Sequence, residues 1–114
     1  ARTLWGRQDP TTLKWTTVAG EMSFDIPDID NLVNLGTWEA VILHEMAHII
    51  GIGTMWGNNG LVQNFQYLGE NAIDVWTNEW GCVGNGPPVE TDGGGGTRGS
   101  HWDEQCLKNE FMTG

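Results

Sequence analysis

Hydrophobic residues dominate one long stretch of the chain, from Trp38 to Ile52, which is long enough for a helix of several turns. Its polar interruptions are few: Glu39, His44, Glu45 and His48. A helix that is apolar on almost every side belongs inside a protein. We therefore expect this helix to be buried.

Both ends of this helix carry residues that favour helix termini. Thr37 is a plausible N-cap, and Glu39 places a negative charge in the first turn, where it interacts favourably with the helix dipole. Gly51 follows the last polar residue and can adopt the left-handed conformation that ends a helix sharply. The pattern thus predicts a helix that begins at Trp38 and exits at Gly51.

The flanking segments predict shorter elements. Leu13 to Val18 alternates like a strand, and a second extended segment follows the break at Gly20: Met22, Ser23, Phe24 and Asp25. Asp28, Asp30 and Asn31 favour a turn before the long helix.

Downstream of the long helix the pattern weakens. Glu70 to Trp80 predicts a second, more polar helix, whereas the glycine-rich stretch from Gly84 to Ser100 predicts mostly loop, with a short strand at Val89 and Glu90. The coarse fold class is therefore α+β.

Composition narrows the class of protein. The chain has 114 residues, 39% of them hydrophobic and 18% charged, which predicts one folded domain over residues 1–114. The formal net charge of −10 disfavours nucleic acid and anionic lipid as partners. No apolar run approaches the roughly 20 residues that cross a bilayer, so we expect no transmembrane segment.

Cys82 and Cys106 lack the C-x-x-C spacing of a thiolate zinc site or a redox motif. Two alternatives stay open for them, a single disulfide and two free thiols. A disulfide would suit an oxidising compartment outside the cytoplasm.

The polar residues of the long helix form an H-E-x-x-H sequence. His44 and His48 are four positions apart and share one helical face, so both imidazoles can bind one metal ion. Glu45 projects from an adjoining face, where it can act on a water bound to the metal. This spacing predicts a zinc site with Glu45 as the catalytic base.

A zinc ion that activates water needs a third protein ligand and an open fourth position. His101 is the only other histidine and lies beyond the glycine-rich loop, which can bring it back to the helix. Glu70, four residues before Asp74, is the rival donor, because another class of zinc peptidases uses a Glu ligand with an Asp at this spacing.

The segment His44-Glu45-x-x-His48-x-x-Gly51 resembles the signature of the metzincin zinc peptidases. The compact form of that signature has its third His at position 54, where this chain has Thr54. In the leishmanolysin-like group an insertion of several dozen residues precedes the third His, as it does here before His101. Further similar blocks are Leu43 to Trp56, Pro88 to Glu90, Gly96-Thr97, Ser100 to Trp102 and Asn109 to Gly114.

This resemblance, over most of residues 20 to 114, implies several further features. It implies a small mixed sheet with an edge strand over a buried zinc-binding helix, followed by a loop-rich part with a Met-turn at Met112. The implied edge strand, on which a protein or peptide substrate would pair, is Met22 to Asp25. Both ends look truncated relative to the family. The resemblance implies a secreted or cell-surface zinc endopeptidase.

Two other functions have some support in the sequence. The seven tryptophans could instead form a carbohydrate-binding module, since exposed indoles stack on sugars. Asp25, Asp28 and Asp30 form an acidic cluster that could bind Ca²⁺, although their spacing matches no common calcium loop.

Overall fold

The structure is a computed structural model that describes every residue from Ala1 to Gly114. Contacts divide the chain into two compact units, an N-terminal unit (Ala1–Met55) and a C-terminal unit (Trp56–Gly114). The prediction of one domain over residues 1–114 stays a prediction, since a compact unit is not by itself an independently folding domain. The fold is a mixture of short helices and strands, which confirms the coarse α+β class.

The N-terminal unit begins with a β-hairpin and continues with two helices. Strands β1 (Arg2–Gln8) and β2 (Trp15–Glu21) pair antiparallel, with bulges near Trp5. Asp9 orders the connection, because its carboxylate accepts hydrogen bonds from the backbone amides of the two threonines that follow Pro10. Helices α1 (Ile26–Leu35) and α2 (Trp38–Ile50) come next.

Helix α2 packs on the hairpin so closely that β2 needs a glycine. A Cβ at Gly20 would lie 2.9 Å from Cγ2 of Ile49 on α2 and 2.9 Å from the carbonyl oxygen of Arg2 on β1. Neither the sheet nor the helix could keep its place with a larger residue there.

Helix α2 has the predicted limits, but the expectation that it is buried all round is wrong. Ala47 and His48 are its only fully buried residues, whereas Leu43, Met46 and Ile50 are about half exposed or more. These three side chains follow helical spacing and form one face, while the hairpin and α1 cover other parts of the helix. The hydrophobic composition of α2 therefore predicted a larger buried fraction of its surface than the structure shows.

The segment from Met22 to Asp25 also requires a correction. It is not an edge strand: β2 ends at Glu21, and no strand pairs with the four residues that follow. Asp25 is instead the N-cap of α1, with Pro27 in its first turn. The acidic residues predicted to form a turn lie inside α1, where Asp28 occupies the favourable N-terminal turn.

The C-terminal unit contains only short elements. Strands β3 (Val62–Gln63) and β4 (Gln66–Tyr67) form a second antiparallel hairpin, and α3 (Glu70–Asp74) continues into a π-helical turn (Val75–Glu79). Helix α4 (Glu104–Leu107) is the last element. The two sheets are separate and antiparallel, so the expected small mixed sheet is wrong. The second predicted helix and the long loop after it are confirmed.

Aromatic side chains form the core of the C-terminal unit. Trp56, Tyr67 and Trp102 pack in a cluster with ring centroids 4.5 to 5.1 Å apart. Val89 is fully buried and bridges to Trp102 as an isolated β-pair, which replaces the short strand expected at this point. None of the helices in either unit has the length and apolar composition needed to cross a bilayer.

One buried group in the N-terminal unit has no partner, and it gives a first testable prediction. The hydroxyl of Thr17 on β2 is buried without a hydrogen bond. Replacing Thr17 by Val keeps the side-chain shape and removes this group, so we expect the free energy of unfolding to rise by about 1 to 2 kcal/mol. Thermal unfolding of the metal-free protein measures the change.

Thr16→Val is the matched control for this substitution. Thr16 is the exposed neighbour of Thr17 on the same strand, so its replacement changes strand propensity without removing a buried unpaired group. A Thr17→Val protein no more stable than Thr16→Val would contradict the prediction.

Candidate metal centre

Two of the predicted metal ligands come from one turn of α2. The imidazole rings of His44 and His48 are perpendicular, with centroids 4.8 Å apart. Their Nε2 atoms are 3.2 Å apart. Two nitrogens bound at about 2.05 Å to one tetrahedral zinc ion lie about 3.3 Å apart, so the pair is already spaced as zinc requires. The same separation suits an N–H···N hydrogen bond when no ion is bound.

The end of α2 fixes the orientation of His48. Gly51 adopts the left-handed conformation (φ 113°) and turns the chain, so that Nδ1 of His48 lies 2.9 Å from the carbonyl oxygen of Ile52. A carbonyl oxygen can only accept, so Nδ1 carries the proton and donates it, and Nε2 keeps its lone pair for a metal. The hydroxyl of Thr54 donates to the backbone carbonyl of His48 and secures the same turn.

His101 has a similar arrangement in the C-terminal unit. Its side chain is buried, and its Nδ1 lies 3.1 Å from the carbonyl oxygen of Thr97. That carbonyl accepts the Nδ1 proton and leaves Nε2 as the unprotonated nitrogen. The hydroxyl of Ser100 lies 3.3 Å from the same Nδ1. A backbone carbonyl therefore sets the tautomer of His101, as it does for His48.

Two of the predicted ligands lie in the N-terminal unit and the third lies in the C-terminal unit. His48 and His101 are buried and His44 is half-buried. The Nδ1 hydrogen bonds of His48 and His101 leave Nε2 with a free lone pair in both residues, which is what a zinc ligand needs.

The rival donors lie elsewhere. Glu70 is exposed at the start of α3, and the carboxylate of Asp74 accepts a hydrogen bond from the side chain of Asn78. Neither belongs to a group of three or more side chains that could hold a metal ion. The calcium candidates Asp25, Asp28 and Asp30 form no such group either.

Glu45 lies beside the two helical histidines and is half-buried. Burial alone would raise its pKa, but the hydrogen bond and the charge of the Ala1 amino group outweigh burial and lower the pKa below its usual value. The carboxylate is therefore ionised near neutral pH. Burial also lowers the pKa of His48, which keeps that imidazole neutral, as a metal ligand must be.

Met112 is almost completely buried in a tight turn at the end of the chain. The backbone amide of Thr113 donates to the carbonyl of Glu110, and the Glu110 carboxylate accepts from the amide of Met112. The amide of Trp102, the residue after His101, donates to the carbonyl of Met112. A tight turn thus lies at Met112 and is hydrogen-bonded to the backbone beside His101, and the Met-turn role of Met112 stays a prediction.

Sequence reasoning missed the two glutamates that order these loops. Glu110 caps the turn at Met112, and Glu90 binds the start of the glycine-rich loop. A carboxylate shortly before a turn or a run of glycines is the sequence feature that could have identified them, because such a carboxylate can accept hydrogen bonds from the amides that follow.

The cysteines and tryptophans have less direct roles. Cys82 and Cys106 are free thiols, so no disulfide joins them. Only Trp5 and Trp80 among the tryptophans are more than half exposed, at 70% and 53%. Trp56 and Trp76 are buried, and Trp76 donates its indole N–H to the carbonyl of Val83. Most of these rings thus serve packing, which gives the carbohydrate-binding alternative little exposed surface.

The geometry at Gly51 yields a second prediction. An alanine Cβ there would lie 3.1 Å from Met55 and would have to adopt φ near 113°. We expect Gly51→Ala to destabilise the protein by about 1 to 3 kcal/mol and, because the Ile52 carbonyl moves, to weaken zinc binding about tenfold. Thermal unfolding and a zinc titration measure the two effects.

Gly57→Ala is the control for this substitution, because a Cβ at Gly57 meets nothing within 4 Å and its φ is not positive. Equal unfolding temperatures and zinc affinities for the two alanine variants would contradict the role assigned to the turn.

No protein-family model matches the chain, and neither a curated protein nor a solved structure matches it.

Proposed function

We propose that this chain is the catalytic core of a zinc-dependent endopeptidase of the leishmanolysin-like metzincin type. The observation that carries the proposal is the H-E-x-x-H turn of α2, in which the Nε2 atoms of His44 and His48 lie 3.2 Å apart, as two ligands of one zinc ion would. His101 would be the third ligand, and Glu45, whose carboxylate is ionised, follows His44 in the same turn. A purely structural zinc site would not require that carboxylate.

The residues would divide the work as follows. Nε2 of His48, Nε2 of His101 and one ring nitrogen of His44 would hold the ion. A bound zinc would lower the pKa of a water molecule and would place a positive charge near the carbonyl oxygen of the substrate. The Glu45 carboxylate would accept the proton of the attacking water and return it to the departing amine. The carbonyls of Ile52 and Thr97 would keep His48 and His101 in the correct tautomer throughout.

The substrates of this proposal are proteins or peptides. An apolar cavity of about 330 Å³ in the C-terminal unit is lined by Trp76, Trp80 and Trp102, but His101 does not line it. The cavity therefore does not support a choice of substrate side chain. The edge strand expected at Met22 to Asp25 is absent, so we make no proposal about how a substrate backbone would pair. The secreted or cell-surface location stays a prediction.

The proposal is tested on the full chain with two measurements. Atomic absorption after dialysis against zinc should give one zinc per chain, and a casein substrate should be cleaved with activity that a chelator abolishes and zinc restores. A chain that binds no zinc would overturn the whole proposal. A chain that binds one zinc without any hydrolysis would reduce the site to a structural one.

A further inference from the structure

Glu90 is the only buried carboxylate in the structure, with 3% of its surface exposed. It stands at the start of the segment that leads through the glycine-rich loop to His101. A buried carboxylate is costly unless several donors surround it. The donors around Glu90 therefore show what its burial achieves.

The side chain of Glu90 binds the start of the loop. Its Oε1 accepts hydrogen bonds from the backbone amides of Thr91 (2.8 Å) and Asp92 (3.0 Å), where the loop begins. The amide of Asp92 lowers the pKa of Glu90 most, burial opposes this effect, and the amides of Thr91 and Glu104 lower the pKa further. Glu104 is the first residue of α4, three positions after His101.

The backbone of Glu90 closes the same loop. Its amide donates to the carbonyl of His101 (2.9 Å), and its carbonyl accepts from the amide of Gly99 (3.0 Å). One residue thus joins the beginning and the end of a loop that contains four consecutive glycines, Gly93 to Gly96. Glycine has the largest backbone entropy to lose on ordering, so this loop needs such a connection more than most.

We propose that Glu90 is a positioning residue for the metal centre. Its hydrogen bonds hold the loop closed, so that Thr97 and His101 already have the arrangement needed for ligation before a metal binds. The inference rests on the proposed function, and it assigns Glu90 no contact with the metal. Its effect reaches the ion through the backbone of His101 and through the Thr97 carbonyl, which lies 3.1 Å from Nδ1 of His101.

The test compares zinc affinity in three variants of the chain, each with one substitution. Glu90→Gln removes the charge that the amides of Thr91 and Asp92 share, and we expect its zinc dissociation constant to rise about tenfold, as for other groups that orient metal ligands. Glu90→Asp keeps a carboxylate that can accept from the next two amides, and we expect it to retain most of the affinity. Glu104→Gln is the matched control, because it removes an exposed charge and leaves the Glu104 amide in place.

A rescue experiment separates positioning from general stability. A Cβ at Gly95 meets nothing within 4 Å, and this residue has no positive φ, so Gly95→Ala reduces loop entropy without strain. In the Glu90→Gln background it should restore affinity about two- to fivefold. The visible absorption of bound Co²⁺ should change in Glu90→Gln and return toward the parent spectrum in the rescued variant.

The possible results are distinguishable. Glu90→Gln could lower only the unfolding temperature, with a zinc dissociation constant and a Co²⁺ spectrum equal to those of Glu104→Gln. In that case Glu90 is only structural, and the inference fails while the proposed function stands. Loss of affinity in Glu90→Asp as large as in Glu90→Gln would also overturn it. If the unsubstituted chain binds no zinc, both the inference about Glu90 and the proposed function are wrong.

Discussion

Replacing His101 by alanine should abolish most zinc binding, and this is the largest effect that we expect from any single change. Two imidazoles from α2 would remain, and a catalytic zinc site needs three protein ligands. Because loss of a group that merely orients a ligand costs 10- to 100-fold in affinity, loss of the ligand itself should raise the dissociation constant by more than about 100-fold. A competition titration with a chromophoric chelator measures it.

Glu70→Gln is the decisive companion to that experiment. Glu70 is the alternative third ligand by sequence, and it is exposed on α3 and belongs to no group of side chains that could hold a metal ion. We expect its substitution to leave zinc affinity unchanged. Zinc could instead be retained in His101→Ala and lost in Glu70→Gln. These results would identify Glu70 as the third ligand, as in the other class of zinc peptidases, and would contradict the metzincin-type site.

Glu45→Gln should retain one zinc per chain and lose most of the hydrolysis of casein. Glutamine has nearly the same shape but cannot accept a proton at neutral pH, and general base catalysis contributes about 10²- to 10⁴-fold. The rate of casein cleavage at matched zinc occupancy measures the effect. The interaction of Glu45 with the Ala1 amino group is weakened by the same change, so the unfolding temperature is recorded alongside.

Glu39→Gln provides the control for this second large effect. Glu39 lies in the first turn of the same helix and is exposed, so its substitution removes one negative charge from α2 without touching the metal centre. Undiminished cleavage by Glu45→Gln, or an equal loss in Glu39→Gln, would remove Glu45 from the mechanism.

The local features of α2 were predictable because they depend on residues close in sequence. The spacing of His44 and His48 places both on one helical face, and only a glycine adopts the conformation at position 51 without strain. By contrast, α1 was missed because Asp28 and Asp30 resemble turn residues. At the start of a helix the same acidic residue is favourable, and only the full segment with Pro27 and the left-handed Gly36 shows this context.

The exposure of α2 could not be predicted from its composition. Hydrophobic residues around a helix indicate that its burial would be favourable. The elements that would bury the helix, however, belong to other parts of the chain. Here the hairpin of β1 and β2 covers part of α2 and leaves Leu43, Met46 and Ile50 largely exposed. Likewise, Met22 to Asp25 alternates well enough for a strand but has no neighbouring strand to pair with.

By itself, the sequence determined the helical pair of candidate metal ligands, the neighbouring glutamate and the glycine that ends the helix, since each follows from spacing within one or two turns. The tertiary structure alone identified the carbonyls of Ile52 and Thr97 that set two tautomers and revealed Glu90 at the base of the glycine-rich loop, whereas His101 rather than Glu70 as the third ligand stays a prediction. A flexible loop of many glycines can close in many ways, so its sequence does not specify where the next histidine lies; the hydrogen bonds that close it do.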